Sequence, residues 1–186
     1  MDGIDQIEAE LFGSRVLVLS KEKGAALYKA GFFGKPVNVH KPKDISEVNT
    51  QLELSLFEAM LLNQRGILKV RKGGRIIQNE ELLCLSRKSY HLFDDLYMVY
   101  KDLRDKEYIV RPALKFGADF AVYRQGPGID HAPYIIHVLP NSAEVGPIEI
   151  VRAGRLSHTV RKKFVLATID RLQQRIYYYV FNWWKA

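Results

Sequence analysis

The sequence is poor in cysteine. Its single thiol, Cys84, cannot close an intrachain disulfide, which fits a reducing compartment. No CxxC pair and no HExxH stretch occur, and His40, His91, His131, His137 and His158 lack metal-ligand spacing. A metal site built mainly on carboxylates stays open, but no residue set calls for a resident metal or cofactor. No apolar run is long enough to cross a membrane. The opening MDGIDQIEAELFG is acidic where a secretion signal would carry an apolar core. These absences predict a soluble, cytoplasmic protein. Negative charge is also short: 21 acidic residues face 28 lysines and arginines, leaving a formal net charge of +7. That surplus favours a polyanionic partner such as nucleic acid.

What is present suffices for a core. Hydrophobic residues make up 47% of 186 positions, enough for one large domain or two small ones. Arg15 to Leu19 reads as a strand and Glu22 to Tyr28 as a short helix. The segment KPVNVHKPKD, Lys35 to Asp44, has two prolines and three lysines and reads as an exposed loop. Leu52 to Leu62 has helical apolar spacing. Ile67 to Ile77 alternates around Gly73-Gly74 as a hairpin does. Asn79 to Arg87 and Tyr90 to Arg104 read as helices, the second amphipathic and aromatic-rich.

Beyond Asp105 the texture turns to strand: Tyr108 to Val110, Phe116 to Tyr123, Tyr134 to Leu139, Phe164 to Ile169 and Ile176 to Phe181. Pro147 to His158 is the one helix among them, with Pro147 suited to a first helical position. The expected class is α/β (α+β). A small N-terminal α/β domain, residues 1–85, precedes a C-terminal mixed-sheet domain with packed helices, residues 86–186.

The stretch YRQGPGIDHAPY sets Tyr123 and His131 on either side of a Gly-Pro-Gly turn. Strand alternation puts Asp119, Ala121 and Tyr123 on one face, the more polar one, and Phe120 and Val122 on the other. A hairpin return would bring Tyr123 and His131 to one end of the sheet. Farther on, RLSHTVRKKFVLATID carries a helix end into a strand opening with Arg161-Lys162-Lys163. Lys162 shares parity with Phe164 and Leu166, and Lys163 points the other way. Tyrosine, histidine and lysine together can cleave a phosphodiester without metal when the substrate brings its own nucleophile. RNA does so through its 2′-hydroxyl. One group removes that proton, another protonates the leaving 5′ oxygen, and a cation stabilises the phosphorane.

The segments LYMVYKDLRDKEYIVRPALKFGADFAVYRQGPGIDHAPYIIHVLP and LSHTVRKKFVLATI resemble the archaeal tRNA-splicing endonuclease family. The resemblance covers about residues 85–186 strongly and the N-terminal part loosely. It implies a nuclease domain with Tyr123 as general base, His131 as general acid and Lys162 as transition-state stabiliser. It also implies metal-free cleavage of precursor tRNA at a bulge-helix-bulge, leaving a 2′,3′-cyclic phosphate and a 5′-hydroxyl. The tyrosine role meets a difficulty: with a pKa near ~10, only about one phenol in a thousand is ionised at pH 7. Lys162 or an arginine must lower that pKa, or Tyr123 mainly orients the 2′-hydroxyl.

The resemblance further implies an arginine clamp on a bulge base. Arg155 matches one member, and Arg152 lies one helical turn before it. Trp183 matches the position near the C-terminus that completes the clamp. The loop with Lys35, Lys41 and Lys43 resembles an insertion in catalytic subunits of the heterotetrameric branch and is expected to touch RNA phosphate. Family members also pair subunits through C-terminal strands and an acidic loop that enters a basic pocket. Here that loop reads DRLQQR, with Asp170 against Arg171 and Arg175. A second, structural subunit is therefore expected to supply the acidic version, in a heterotetramer of two catalytic and two structural chains. Two other readings stand beside this one: a non-catalytic structural or RNA-binding subunit of the same fold, and a metal-dependent DNA nuclease.

Overall fold

The computed structural model describes residues 6–39, 48–140, 142–160 and 162–182. The chain forms two compact units, Met1–Phe93 and Asp94–Ala186. The division expected after residue 85 falls inside a helix, Asn79–Ser89. Among the described residues no helix is long and apolar enough to cross a membrane.

The first unit begins with a strand where composition showed only an acidic opening. In β1 (Ile7–Phe12), Ile7, Ala9 and Leu11 are buried and the residues between them face outward, the period-two pattern of a half-covered strand. β2 (Arg15–Val18) returns antiparallel to it, with Glu10 opposite Leu17. Ser20 then caps α1 (Lys21–Gly31) by accepting from the Lys23 amide at 3.2 Å. β3 (Lys35–Pro36) and β4 (Leu52–Leu54) follow, then α2 (Leu56–Gln64), β5 (Leu68–Lys72), β6 (Arg75–Ile76) and α3 (Asn79–Ser89). The strands form one mixed sheet in the order β3-β4-β2-β1-β5-β6.

The helix expected over Leu52–Leu62 is a strand followed by a helix. Ser55 divides them. Its hydroxyl accepts from the Glu58 amide while the Glu58 carboxylate takes the Ser55 N–H, a capping box that starts α2 afresh. The Gly73-Gly74 hairpin forms as read.

The second unit opens with α4 (Phe93–Asp105), three residues later than its apolar spacing suggested, because Leu92 takes a left-handed φ of 59°. Then come β7 (Ile109–Pro112), β8 (Phe120–Tyr123), β9 (Tyr134–Leu139), α5 (Pro147–Val160), β10 (Lys163–Asp170) and β11 (Arg175–Phe181). The expected strand from Phe116 starts only at Phe120: Leu114–Phe116 is a 3-10 turn, ended by Gly117 at φ 65°.

The sheet order is β11-β10-β9-β8-β7. β9 and β10 run parallel, joined by α5, and the other pairs are antiparallel. Helices cover both faces. On one, the rings of Tyr100 in α4 and Phe120 in β8 lie 6.0 Å apart. The Tyr178 hydroxyl of β11 donates to Asp102 of α4 at 2.7 Å. On the other, Ala153 of α5 is buried with Ala121, Ile135, Phe164 and Leu166.

Candidate active site

Tyr123 closes β8, and its ring packs half-buried against the cluster beneath α5. The sequence assigned this face more polar character; it is core, because α5 covers the sheet there and Ala121 is almost fully buried. The burial has an electrostatic consequence. Loss of water pushes the Tyr123 phenol above its ordinary range; the Arg111 charge opposes this, and Asp130 adds to it. Arg111 sits in β7 opposite Ala121, two residues along from the Ile109–Tyr123 pair, so it shares the face of Tyr123.

The chain then turns through Gly-Pro-Gly. Gly126 and Gly128 have φ of 132° and 92°, values that side-chain-bearing residues rarely adopt. The Gly126 carbonyl accepts from the amides of Ile129 and Asp130 at 3.1 and 3.0 Å. The Asp130 carboxylate reaches back across the turn. One oxygen accepts from the Gly126 amide at 2.8 Å, the other from the amides of Arg124 and Gln125 at 3.0 and 3.3 Å. Partial burial works against ionisation of Asp130, yet these amides together hold its carboxyl below the usual range. Asp130 thus clasps the residues after Tyr123 to the residue before His131.

His131 emerges exposed, just ahead of Ala132 and Pro133. Lys162 reaches the same place from the other side. α5 ends at Val160, and β10 enters beside β9 with Lys163 next to Tyr134 and its N–H on the Pro133 carbonyl at 2.9 Å. The Lys162 ammonium donates to the Ala132 carbonyl at 2.7 Å. Since Val122 pairs with Tyr134 and Lys163 also neighbours Tyr134, Tyr123 and Lys162 both stand level with Pro133. They lie on one face, one strand to either side of β9, with Cα atoms about 10 Å apart at ordinary strand spacing. Tyr123, His131 and Lys162 therefore gather at one end of the sheet, with Arg111 beyond Tyr123.

Of the other expected site residues, Arg155 is exposed on α5, the helix that leads to Lys162. The backbone of Arg152 lies on the same helix; its side chain is outside the described residues, as are Lys41, Lys43 and Trp183. Lys35 lies in β3 of the first unit, exposed and opposite Glu53. Sequence reading passed over Arg111, whose place depends on strand register. It also missed Asp130, although an aspartate four residues after a turn glycine is a usable signal for side-chain clasping of turn amides. A third omission is the pairing of Asp119 with His137, whose Nδ1 lies 2.8 Å from the carboxylate on the same face farther along the sheet. Among the described residues no three His, Cys, Asp or Glu side chains converge as metal ligands would.

Comparison with known proteins matches both units of the chain to domains of one family. The N-terminal domain of tRNA intron endonucleases matches residues 7–83, and their catalytic C-terminal domain matches residues 93–178. Similar proteins include tRNA-splicing endonucleases from Hyperthermus butylicus, 44% identical, Saccharolobus islandicus, 43% identical, and Saccharolobus solfataricus, 42% identical. Each comparison spans 180 residues, 96% of this chain and 99% of the relative. With both domains matched in order and the relatives covered end to end, the chain belongs to the tRNA intron endonuclease family and carries its catalytic domain.

Proposed function

We propose that this chain is a catalytic subunit that cuts precursor tRNA at intron-exon junctions held as a bulge-helix-bulge. The observation that carries the reading is the meeting of Tyr123, His131 and Lys162 at one sheet end, with Lys162 anchored to the residue after His131. Tyr123 takes the proton of the 2′-hydroxyl, and the freed 2′ oxygen forms a bond to phosphorus. Lys162 stabilises the charge that builds on the non-bridging oxygens. The bond from phosphorus to the 5′ oxygen breaks as His131 delivers a proton to that oxygen. The products are a 2′,3′-cyclic phosphate and a 5′-hydroxyl. Burial makes the reactive phenolate scarce, so Arg111, the charge that opposes burial at Tyr123, supports the base.

Arg155, Arg152, Trp183 and the lysines at 35, 41 and 43 supply the RNA contacts of this reading, away from the bond that breaks. The hairpin between β10 and β11 supports a heterotetramer with a second, structural chain. One oxygen of its single acid, Asp170, accepts from the amides of Leu172 and Gln173 at 2.9 and 3.1 Å. Arg171 is spent on buried Asp95 at 2.8 Å. The hairpin thus offers a single acid, held in part by its own turn, beside two arginines, and a partner chain provides the acidic loop that docks into a basic pocket.

The test is cleavage of a bulge-helix-bulge RNA in excess EDTA, by this chain alone and mixed with candidate partners. Activity that appears with the partner and disappears in His131→Ala, RNA binding retained, supports the reading. Loss of activity in EDTA with the RNA fold intact would refute the metal-free step, and full activity of a tetramer of this chain alone would refute the heterotetramer.

A further inference from the structure

The same sheet end has a reverse side, and four residues there take no part in the cleavage step. Tyr134 pairs with Val122 and neighbours Lys163, so both lie on the face opposite Tyr123 and Lys162. Arg124 and Tyr108 each stand one residue beyond the Ile109–Tyr123 pair, which places them on that reverse face too. The rings of Tyr108 and Tyr134 meet edge to face, centroids 6.4 Å apart at 87°. The Tyr134 side chain beside the Arg124 guanidinium favours its charged form, while the Arg124 backbone is pinned by the Asp130 clasp. Buried Arg104 donates to the Tyr108 carbonyl at 3.3 Å, fixing the second tyrosine from below. Arg124 and Lys163 are exposed, and neither forms a salt bridge among the described residues.

We propose that Tyr108, Arg124, Tyr134 and Lys163 form a second RNA subsite, for the phosphate and base of an unpaired nucleotide adjoining the scissile bond. The chain puts consecutive residues to work on opposite faces: Tyr123 with Arg124, Lys162 with Lys163. Consecutive residues are only about 3.3 Å apart along a strand but point to opposite faces, so an RNA strand that wraps the sheet end meets the reacting pair on one face and the reverse pair on the other. The two cations hold a phosphate, Arg124 placed on this face by the strand register and by its clasped backbone. Unpaired bases, splayed from a stem, stack on aromatic rings with little regard to sequence, and the tyrosine pair supplies such rings. The subsite reads the strand beside the cut and leaves the cut itself to the other face. It rests on the assignment of Tyr123, His131 and Lys162 as the reacting trio.

The test uses a bulge-helix-bulge RNA made uncleavable by 2′-deoxy substitution at both junctions, bound to the assembled endonuclease across a salt series. The double variant Arg124→Gln, Lys163→Gln removes two phosphate-binding charges. It is expected to reduce the slope of log affinity against log salt by about 1.4. Lys29→Gln, an exposed charge on α1, is expected to leave the slope unchanged. Tyr108→Phe is expected to keep affinity and Tyr108→Ala to weaken it. On cleavable RNA at saturating protein, the single-turnover rate of the double variant is expected to stay within about twofold of wild type while half-saturation moves to higher protein. If the double variant misfolds by circular dichroism, exposed Lys163→Gln alone carries the test, with half the slope change. A wild-type slope and affinity in the folded variants would overturn the subsite. Cleavage persisting in His131→Ala would instead overturn the trio, whatever the reverse face does.

Discussion

Lys162 Nζ donates to the carbonyl oxygen of Ala132 at 2.7 Å, so the ammonium is held beside the peptide that carries His131. A lysine on a flexible four-carbon stem would otherwise lose several rotors on meeting a phosphate. Here one hydrogen bond fixes it in advance and leaves its remaining donors for phosphate oxygens. Lys162→Met is expected to slow the chemical step on the order of 100- to 1,000-fold, as loss of a preorganised transition-state donor does. RNA affinity should change far less. Single-turnover rates at saturating protein, set beside binding of uncleavable RNA, check the split. An affinity loss that accounted for the whole effect would make Lys162 a binding residue.

Asp130 gives a pH-dependent prediction. Its carboxyl is held below the usual range by turn amides, so the folded loop prefers the ionised form. The contribution is complete above the ordinary aspartate value of about 3.9. It is lost as pH falls through the depressed folded value, because protonation removes the acceptor the amides need. The resonance of the Gly126 amide should therefore move with acid below pH 4 while core amides of β9 stay put. Asp130→Ala should open the turn at neutral pH and slow cleavage on the order of a hundredfold through misplacement of His131. Asp130→Asn, with one acceptor oxygen left, should fall between. Equal activity of wild type and Asp130→Ala would remove the clasp from the account.

The charge on Arg111 opposes the burial that raises the Tyr123 phenol. Arg111→Gln is expected to move the Tyr123 titration further upward. Ultraviolet difference titration of that variant against the same variant carrying Tyr123→Phe reads it directly. Cleavage should slow with the shift, since the phenolate becomes scarcer. A slower enzyme with an unmoved phenol would mean that Arg111 acts on RNA and not on Tyr123.

The catalytic half of the molecule was largely legible in the sequence, for a physical reason. The ends of β9, β10 and β11 are set by β-rich runs bounded by turn residues, and Gly-Pro-Gly announces the return between β8 and β9. Parity alone then put Tyr123 and Lys162 on stated faces. The register of three strands was not legible, and it is register that brings Arg111 beside Tyr123 and sets Arg124 beside Tyr134. Burial was misjudged where polarity was read from Asp119 and Tyr123, because α5 covers that face from outside the strand. In the N-terminal unit, Leu52–Leu62 satisfied helical spacing across a strand and a helix at once. The capping pair Ser55 and Glu58 was the signal that would have divided them. β1 went unread because its glutamates dominate a composition-level view although its apolar residues alternate.

The central claim is that the RNA supplies the nucleophile and this sheet end completes the transfer. A precursor RNA carrying a single 2′-deoxy nucleotide at one junction tests it most directly, with the untouched junction as internal control. The account predicts that the substituted junction stays whole while the other is cut to a 2′,3′-cyclic phosphate and a 5′-hydroxyl, with RNA affinity nearly unchanged. Cutting of the deoxy junction at the rate of its neighbour would show that water is the attacking group, and would contradict the roles given to Tyr123, His131 and Lys162.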